Sequence, residues 1–134
     1  MNGHGQGLCG KVLLVAALAV GTESTATAAE RDEAAAREYV YCGRVIAAWE
    51  TISERGGNAD AARGLRAMRG SFAMAATLRS DTEFLKQEIQ NSSLRFKQRF
   101  PGHDVPTENR DLESEGDRCA ALWKSEVQPL LGLR

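Results

Sequence analysis

Residues 30–55 read ERDEAAAREYVYCGRVIAAWETISER, and the fold follows from this stretch. Ala35, Tyr39, Cys42, Ile46, Trp49 and Ile52 recur at steps of three and four. That spacing places them on one face of a helix. Arg37, Glu38, Arg44, Glu50 and Glu54 fall away from this face. Acidic residues among Glu30–Glu33 suit the positive end of the helix dipole. Arg55-Gly56-Gly57-Asn58 stops the helix, because glycine ends it and arginine meets the last carbonyls. Cys42 sits in the middle of the apolar face.

Three more helical readings follow. The second covers about Ala59 to Leu78, with Asn58 or Asp60 as its cap and Ala61, Leu65, Met68, Phe72 and Ala75 as its stripe. Gly64 and Gly70 each weaken that helix by roughly 1 kcal/mol relative to alanine. The expected compensation is close approach of a neighbouring backbone, with a kink as the alternative. Ser80-Asp81-Thr82-Glu83 has the spacing of a capping box and opens a third helix, about Asp81 to Phe100. Leu85, Ile89, Ser92, Phe96 and Phe100 share its apolar face, and Pro101-Gly102 ends it. Thr107 caps a fourth helix, about Glu108 to Gln128, with Leu112, Cys119, Leu122, Trp123 and Val127 on its apolar side. Gly116 weakens this helix, and Pro129 is expected to end or bend it. Leu130, Leu131 and Leu133 form an apolar tail that packs on the end of the domain.

The reading is therefore all-α. Residues 30–134 form one domain, an antiparallel four-helix bundle with short links. An orthogonal packing is the other arrangement that the second-helix glycines permit. In the up-down-up-down order the first and fourth helices are antiparallel neighbours. Cys42 and Cys119 each lie about halfway along their helices, which puts them at one level. They are expected to form a disulfide.

The leader supports that pairing. Residues 1–29 read as a cleaved signal peptide, with Lys11 and the amino terminus as its positive region and Val12–Val20 as its apolar run. Ala26-Thr27-Ala28 fits cleavage before Ala29, with cleavage after Ala29 as the neighbouring choice. The apolar run is shorter than the roughly 20 residues that span a bilayer, so no stable membrane span survives cleavage. Cleavage removes Cys9 and leaves an even pair of cysteines in an exported chain, the setting in which disulfides form. The 77-residue separation closes a long loop. By chain entropy that contributes about 4 kcal/mol, against a typical net stability of roughly 5–15 kcal/mol. The arginine- and alanine-rich composition fits a bacterial source, so the expected location is the periplasm or the exterior.

The 134 residues carry 17 basic and 18 acidic side chains, a formal charge of −1. That balance argues against nucleic acid as a partner. Outside the leader the chain has one histidine, His103, beside Asp104. One histidine and two bonded cysteines fall short of the four nitrogen or sulfur ligands of a structural zinc site. No Cys-x-x-Cys-His sequence for covalent haem occurs, and Met68 and Met74 read as packing residues rather than axial ligands. No Gly-x-Ser-x-Gly elbow, glycine-rich phosphate loop or Asp-x-Asp-x-Asp-Gly calcium loop is present. No cofactor, metal ligand or catalytic residue is therefore assigned.

Glu108, Asp111 and Glu115 share one side of the fourth helix near its start, where acidic residues suit the dipole. Arg63, Arg66 and Arg69 recur every three residues on the second helix. They either pair with the acidic fourth helix or, with Tyr41, which lies off the core stripe, form an interaction surface for an acidic partner, since arginine forks onto carboxylates. The functional expectation is a non-catalytic protein that binds a partner in the cell envelope, as an accessory or immunity-type inhibitor. The alternatives are a bundle that binds a small ligand or cofactor, and an enzyme that uses the carboxylates of the fourth helix. Intact mass measured without reductant checks the processing. The expected mass corresponds to residues 29–134 or 30–134, lower by about two hydrogens because the cysteines are joined. A full-length, thiol-bearing mass would remove both the leader and the staple.

Overall fold

A computed structural model describes residues 26–101 and 110–134. Residues 1–25, which hold most of the leader, and His103, Thr107 and Glu108 lie outside the described residues. Met1–Arg31 and Asp32–Arg134 are separate compact units. Among the described residues the first unit supplies only residues 26–31, where Glu30 N donates to Thr27 Oγ1 at 3.1 Å.

The described residues are all-α. Helix α1 spans Ala28–Arg55, α2 Ala59–Arg79, α3 Thr82–Arg99 and α4 Arg110–Leu122. A π-helical turn, Trp123–Val127, and a short α5, Gln128–Leu131, continue from α4.

The buried side chains of α1 do not stop at one stripe. Tyr41, Val45 and Ala48 are buried as well as Tyr39, Cys42 and Ile46. At 3.6 residues per turn these positions cover about half of the helix circumference. The reason is that α1 has neighbours on three sides. Asp32 pairs with Arg79 of α2, Glu50 with Arg66 and Arg69, and Glu54 with Arg66. Arg37 pairs with Glu88 of α3, and the Arg44 guanidinium stacks 4.1 Å from the Phe96 ring centroid. Glu38 pairs with Arg118 of α4, and Trp49 Nε1 donates to the Leu112 carbonyl at 3.1 Å. The residue numbers in these contacts run in opposite senses for α1–α2 and α1–α4, and in the same sense for α1–α3.

Cys42 and Cys119 are joined, with Cα atoms 5.4 Å apart and both residues fully buried. The expected pair is therefore present, and it joins the middle of α1 to the last turn of α4. Around it Tyr39, Phe72, Phe96, Leu112 and Val127 fill the core. Tyr39 also donates its hydroxyl to Glu126 Oε1 at 2.9 Å. Burial, then that carboxylate, push the Tyr39 pKa up to about 12.

The helix ends follow local chemistry, with two corrections. Gly57 has φ +75°, Gly57 N donates to Glu54 O, and Asn58 N donates to Ser53 O, a left-handed stop that glycine adopts without strain. Asn58 Oδ1 caps α2 through Ala61 N at 3.1 Å. The expected capping box is displaced. Asp81, not Ser80, caps α3 through Phe84 N at 2.8 Å. The Ser80 hydroxyl instead donates to Ala76 O, which turns it back toward the end of α2. Pro129 does not end the helix. Gln128 N bonds Trp123 O in the widened π turn. An α-helix would press the proline ring on the carbonyl four residues back, and the wider turn relieves that contact. Leu130 and Leu131 pack on the core, while Leu133 stays exposed.

Ile89 is exposed rather than part of the α3 core face. It rims an open cleft of about 370 Å³ that α2 and α3 leave above Val40, Gly43 and Ala47. The α3 face that does pack is Leu85, Glu88, Ser92 and Phe96.

The glycines also reverse their expected roles. A Cβ on Gly64 or Gly70 would meet nothing within 4 Å, so neither marks a close backbone approach. A Cβ on Gly116 would lie 2.6 Å from Trp49 Nε1. Gly116 is thus the contact that lets α4 lie on the Trp49 indole. Gly64→Ala is expected to raise unfolding stability by roughly 1 kcal/mol. Gly116→Ala is expected to lower it and to change Trp fluorescence, because the indole must leave its bond to Leu112. Paired denaturation curves check the opposite signs.

Candidate functional site

The site is built on positions that α1, α3 and α4 place side by side. Tyr41 projects from α1 between α3 and α4. It lies off the core stripe, yet it is only 7 % exposed. The Arg95 guanidinium lies 4.8 Å from the ring centroid and covers it. Cation–π stacking of this kind lets an arginine shield an aromatic face while its own edge stays in water. Around the ring, Glu38, Arg95, Gln98, Arg99, Glu115 and Arg118 line a cleft of about 510 Å³.

Glu115 is 9 % exposed and is held from two sides. Arg99 approaches Oε1 at 3.6 Å and Arg118 approaches Oε2 at 3.2 Å. Arg118 also reaches Glu38 at 2.8 Å and lies 4.0 Å from Cys42 Sγ. The disulfide and the cleft therefore share one arginine. Burial acts to lower the Arg118 pKa, but the Glu115 and Glu38 carboxylates outweigh it and raise it overall. Burial, then the Glu115 charge, raise the Tyr41 pKa against the opposing pull of Arg99, Arg95 and Arg118. Tyr41 therefore remains a neutral phenol at physiological pH and lines the cleft as a hydrogen-bonding group. The cleft holds three guanidinium groups and two carboxylates. Arg95 has no carboxylate partner among the described residues.

The α2 arginines are arranged differently. Arg66 Nε donates to Glu50 Oε1 at 2.8 Å and its Nη2 to Glu54 Oε1 at 2.7 Å. Arg69 Nε donates to Glu50 Oε2 at 2.8 Å. Their carboxylate partners are on the first helix, not the acidic fourth, because α1 presents Glu50 and Glu54 directly to α2. Arg63 is 74 % exposed at its side chain and, among the described residues, pairs only with Asp60, one turn away. The structure does not bring Tyr41 together with these arginines. Of the carboxylates on α4, Asp111 is exposed and Glu115 is engaged in the cleft. Arg95 and Arg99 were visible in the sequence only as cations at a helix end. Tyr41 off the core stripe was the signal that a second face of α1 was in use.

Among the described residues no group of three or more His, Cys, Asp or Glu could hold a metal ion. No described helix is long and apolar enough to cross a membrane. The chain matches no family model, and no curated protein or solved structure shows significant similarity to it.

Glu50 supplies a pH test of the α1–α2 contact. The Arg69 hydrogen bond, then that of Arg66, hold its carboxyl below the usual carboxylate range despite burial. A carboxyl whose folded pKa is depressed adds stability above its unfolded pKa and loses it as pH falls through the folded value. Glu50→Gln is expected to lower stability at pH 7 by on the order of 1–2 kcal/mol. It is also expected to flatten the stability-against-pH slope below about pH 4.5, as read from urea midpoints. An unchanged acid slope would show that the two arginines do not favour the charged form.

Proposed function

We propose that this protein is exported, matures as an up-down-up-down helical bundle stapled by Cys42–Cys119, and acts by binding rather than by catalysis. Its partner is a macromolecule of the cell envelope that presents carboxylates to the Tyr41 cleft. The leader pattern in residues 1–29 supports export to the periplasm or the exterior. The senses in which α1 meets α2, α3 and α4 support the bundle order. The observation that carries the binding reading is the excess of guanidinium over carboxylate around Tyr41. Arg95 is held in place by stacking and has an edge to spare, and Arg99 and Arg118 are set beside it by Glu115. Arginines ordered in advance lose little freedom when they fork onto a carboxylate. Arg66 and Arg69 are committed to Glu50 and Glu54, so the α2 set of Arg63, Arg66 and Arg69 contributes through Arg63 alone.

A second reading has its own support. Ile46, Trp49, Leu65 and Met68 line a cleft of about 690 Å³ between α1, α2 and α4, a size that suits a small apolar ligand. Visible absorbance or a co-purifying mass in native spectra would favour that reading.

Pull-down from envelope extract tests the first reading. Arg95→Glu is expected to reduce recovery of the partner about tenfold, a difference on the order of 1.4 kcal/mol. Lys86→Glu, an exposed charge reversal elsewhere on α3, is expected to leave recovery unchanged. Equal recovery by wild type and Arg95→Glu would remove the cleft as the binding surface.

A further inference from the structure

Arg44 is a half-buried cation that no carboxylate meets among the described residues. Its guanidinium lies 4.1 Å from the Phe96 ring centroid, and no hydrogen-bond acceptor among those residues reaches it. Burial lowers its pKa, and no neighbouring charge opposes the shift. Arg37, Arg69, Arg79 and Arg118 each reach a carboxylate on another helix. At Arg118 burial acts in the same direction, and two carboxylates outweigh it. A guanidinium drawn partly out of water without a counterion is costly, and an incoming anion offsets that cost.

Arg44 lines the cleft of about 370 Å³ between α1, α2 and α3. The two ends of this cleft differ. Arg37 meets Glu88 and Arg44 meets Phe96, so α3 runs beside α1 in the same sense. Glu50 meets Arg69 and Asp32 meets Arg79, so α2 runs in the opposite sense. These registers bring Arg44, Arg69 and Ser93 to one end. Ser93 precedes Phe96 by one turn, and its hydroxyl has no hydrogen-bond partner among the described residues. Arg69 adds a second guanidinium there, balanced by Glu50. Ala76, Leu85 and Ile89 wall the other end. Ile89 is 57 % exposed, a large apolar side chain standing at the rim. Thr77 and Ser92 donate their hydroxyls to Ala73 O and Ile89 O within their own helices, so they offer no proton to a ligand. From Leu85 to Ser93 the cleft follows α3 for about 12 Å. It shares no lining residue with the Tyr41 cleft or with the cleft at Trp49.

We infer that this cleft binds the anion of a single-chain fatty acid, its carboxylate on Arg44 and Ser93 and its acyl chain laid toward Leu85 and Ile89. A guanidinium forks onto a carboxylate, and stacking on Phe96 orders this one in advance, so little freedom is lost on binding. The acyl chain covers Ile89 and removes apolar surface from water, which drives the association. The length of the cleft suits a chain of medium length such as that of decanoate.

Calorimetric titration of the disulfide-bonded chain with decanoate tests this. Decanoate is expected to bind with a Kd on the order of 0.1 mM, and the uncharged decanol about tenfold more weakly. Octanoate and hexanoate are expected to bind more weakly in turn, by roughly fourfold for each fully covered methylene that is lost. Arg44→Gln is expected to bring decanoate down to the affinity of decanol and to leave decanol unchanged. Ala73→Leu adds bulk at an exposed position on the wall of the cleft. It is expected to weaken both ligands by about tenfold, with unchanged helical circular dichroism. Lys86→Gln, on α3 outside the cleft, is expected to leave both affinities as they are. Absence of decanoate binding overturns the inference, as does equal affinity for decanoate and decanol. An Ala73→Leu protein that binds as tightly as wild type overturns the cleft as the site. Binding to phosphatidylglycerol vesicles without binding to decanoate also overturns it, because the apolar rim would then meet a membrane surface and not a free acid.

Discussion

The covalent link between Cys42 and Cys119 holds the last turn of α4 against the middle of α1, and the other contacts are set by that crossing. It places Leu112 over Trp49 on one side of the crossing and Glu126 against Tyr39 on the other. With α4 held there, the indole of Trp49 must lie under α4, and only a residue without a side chain fits at position 116. The staple, the glycine and the indole are thus one constraint expressed three ways. Loop closure over so long a span also removes freedom from the unfolded chain, which matters for a small core.

Because α1 is surrounded, its polar residues have become structural. Glu50 is buried between two α2 arginines, and Arg37 reaches the buried Glu88 on α3. Arg44 lies against the Phe96 ring, and burial lowers its pKa. Helices α2, α3 and α4 are each held to α1 by apolar packing and by at least one charged contact. The apolar contacts supply most of the free energy, and the charged ones act at defined distances that set rotation and register. Exposed pairs contribute little on their own, so the partly buried ones at Glu50, Glu88 and Glu115 are the informative set.

The same arrangement separates two surfaces. The cleft around Tyr41 is polar, built from three helices and tied to the disulfide through Arg118. The outward side of α2 exposes Met74 and Leu78 and involves one helix. They lie on different helices, so occupation of one leaves the other free.

Residue order was enough for the all-helical class, the extents of α1, α2 and α3 to within a residue or two, the Gly57 stop, the Asn58 cap and the cysteine pair. These are local or nearly local properties: periodicity, capping chemistry and a parity of cysteines. Which off-stripe residues of α1 are buried was a matter of packing, because burial of Tyr41 and Val45 depends on how many helices surround α1. Packing also made Gly116, not Gly64 or Gly70, the crowded glycine, since crowding needs a neighbour and Trp49 is far away in sequence. Ser80 serves the helix behind it and Asp81 the one ahead, a choice that turns on backbone direction at the junction. Glu50 and Glu54, rather than α4, hold the α2 arginines. Charge in a sequence states what can pair, and only the packing of helices brings a particular carboxylate within reach.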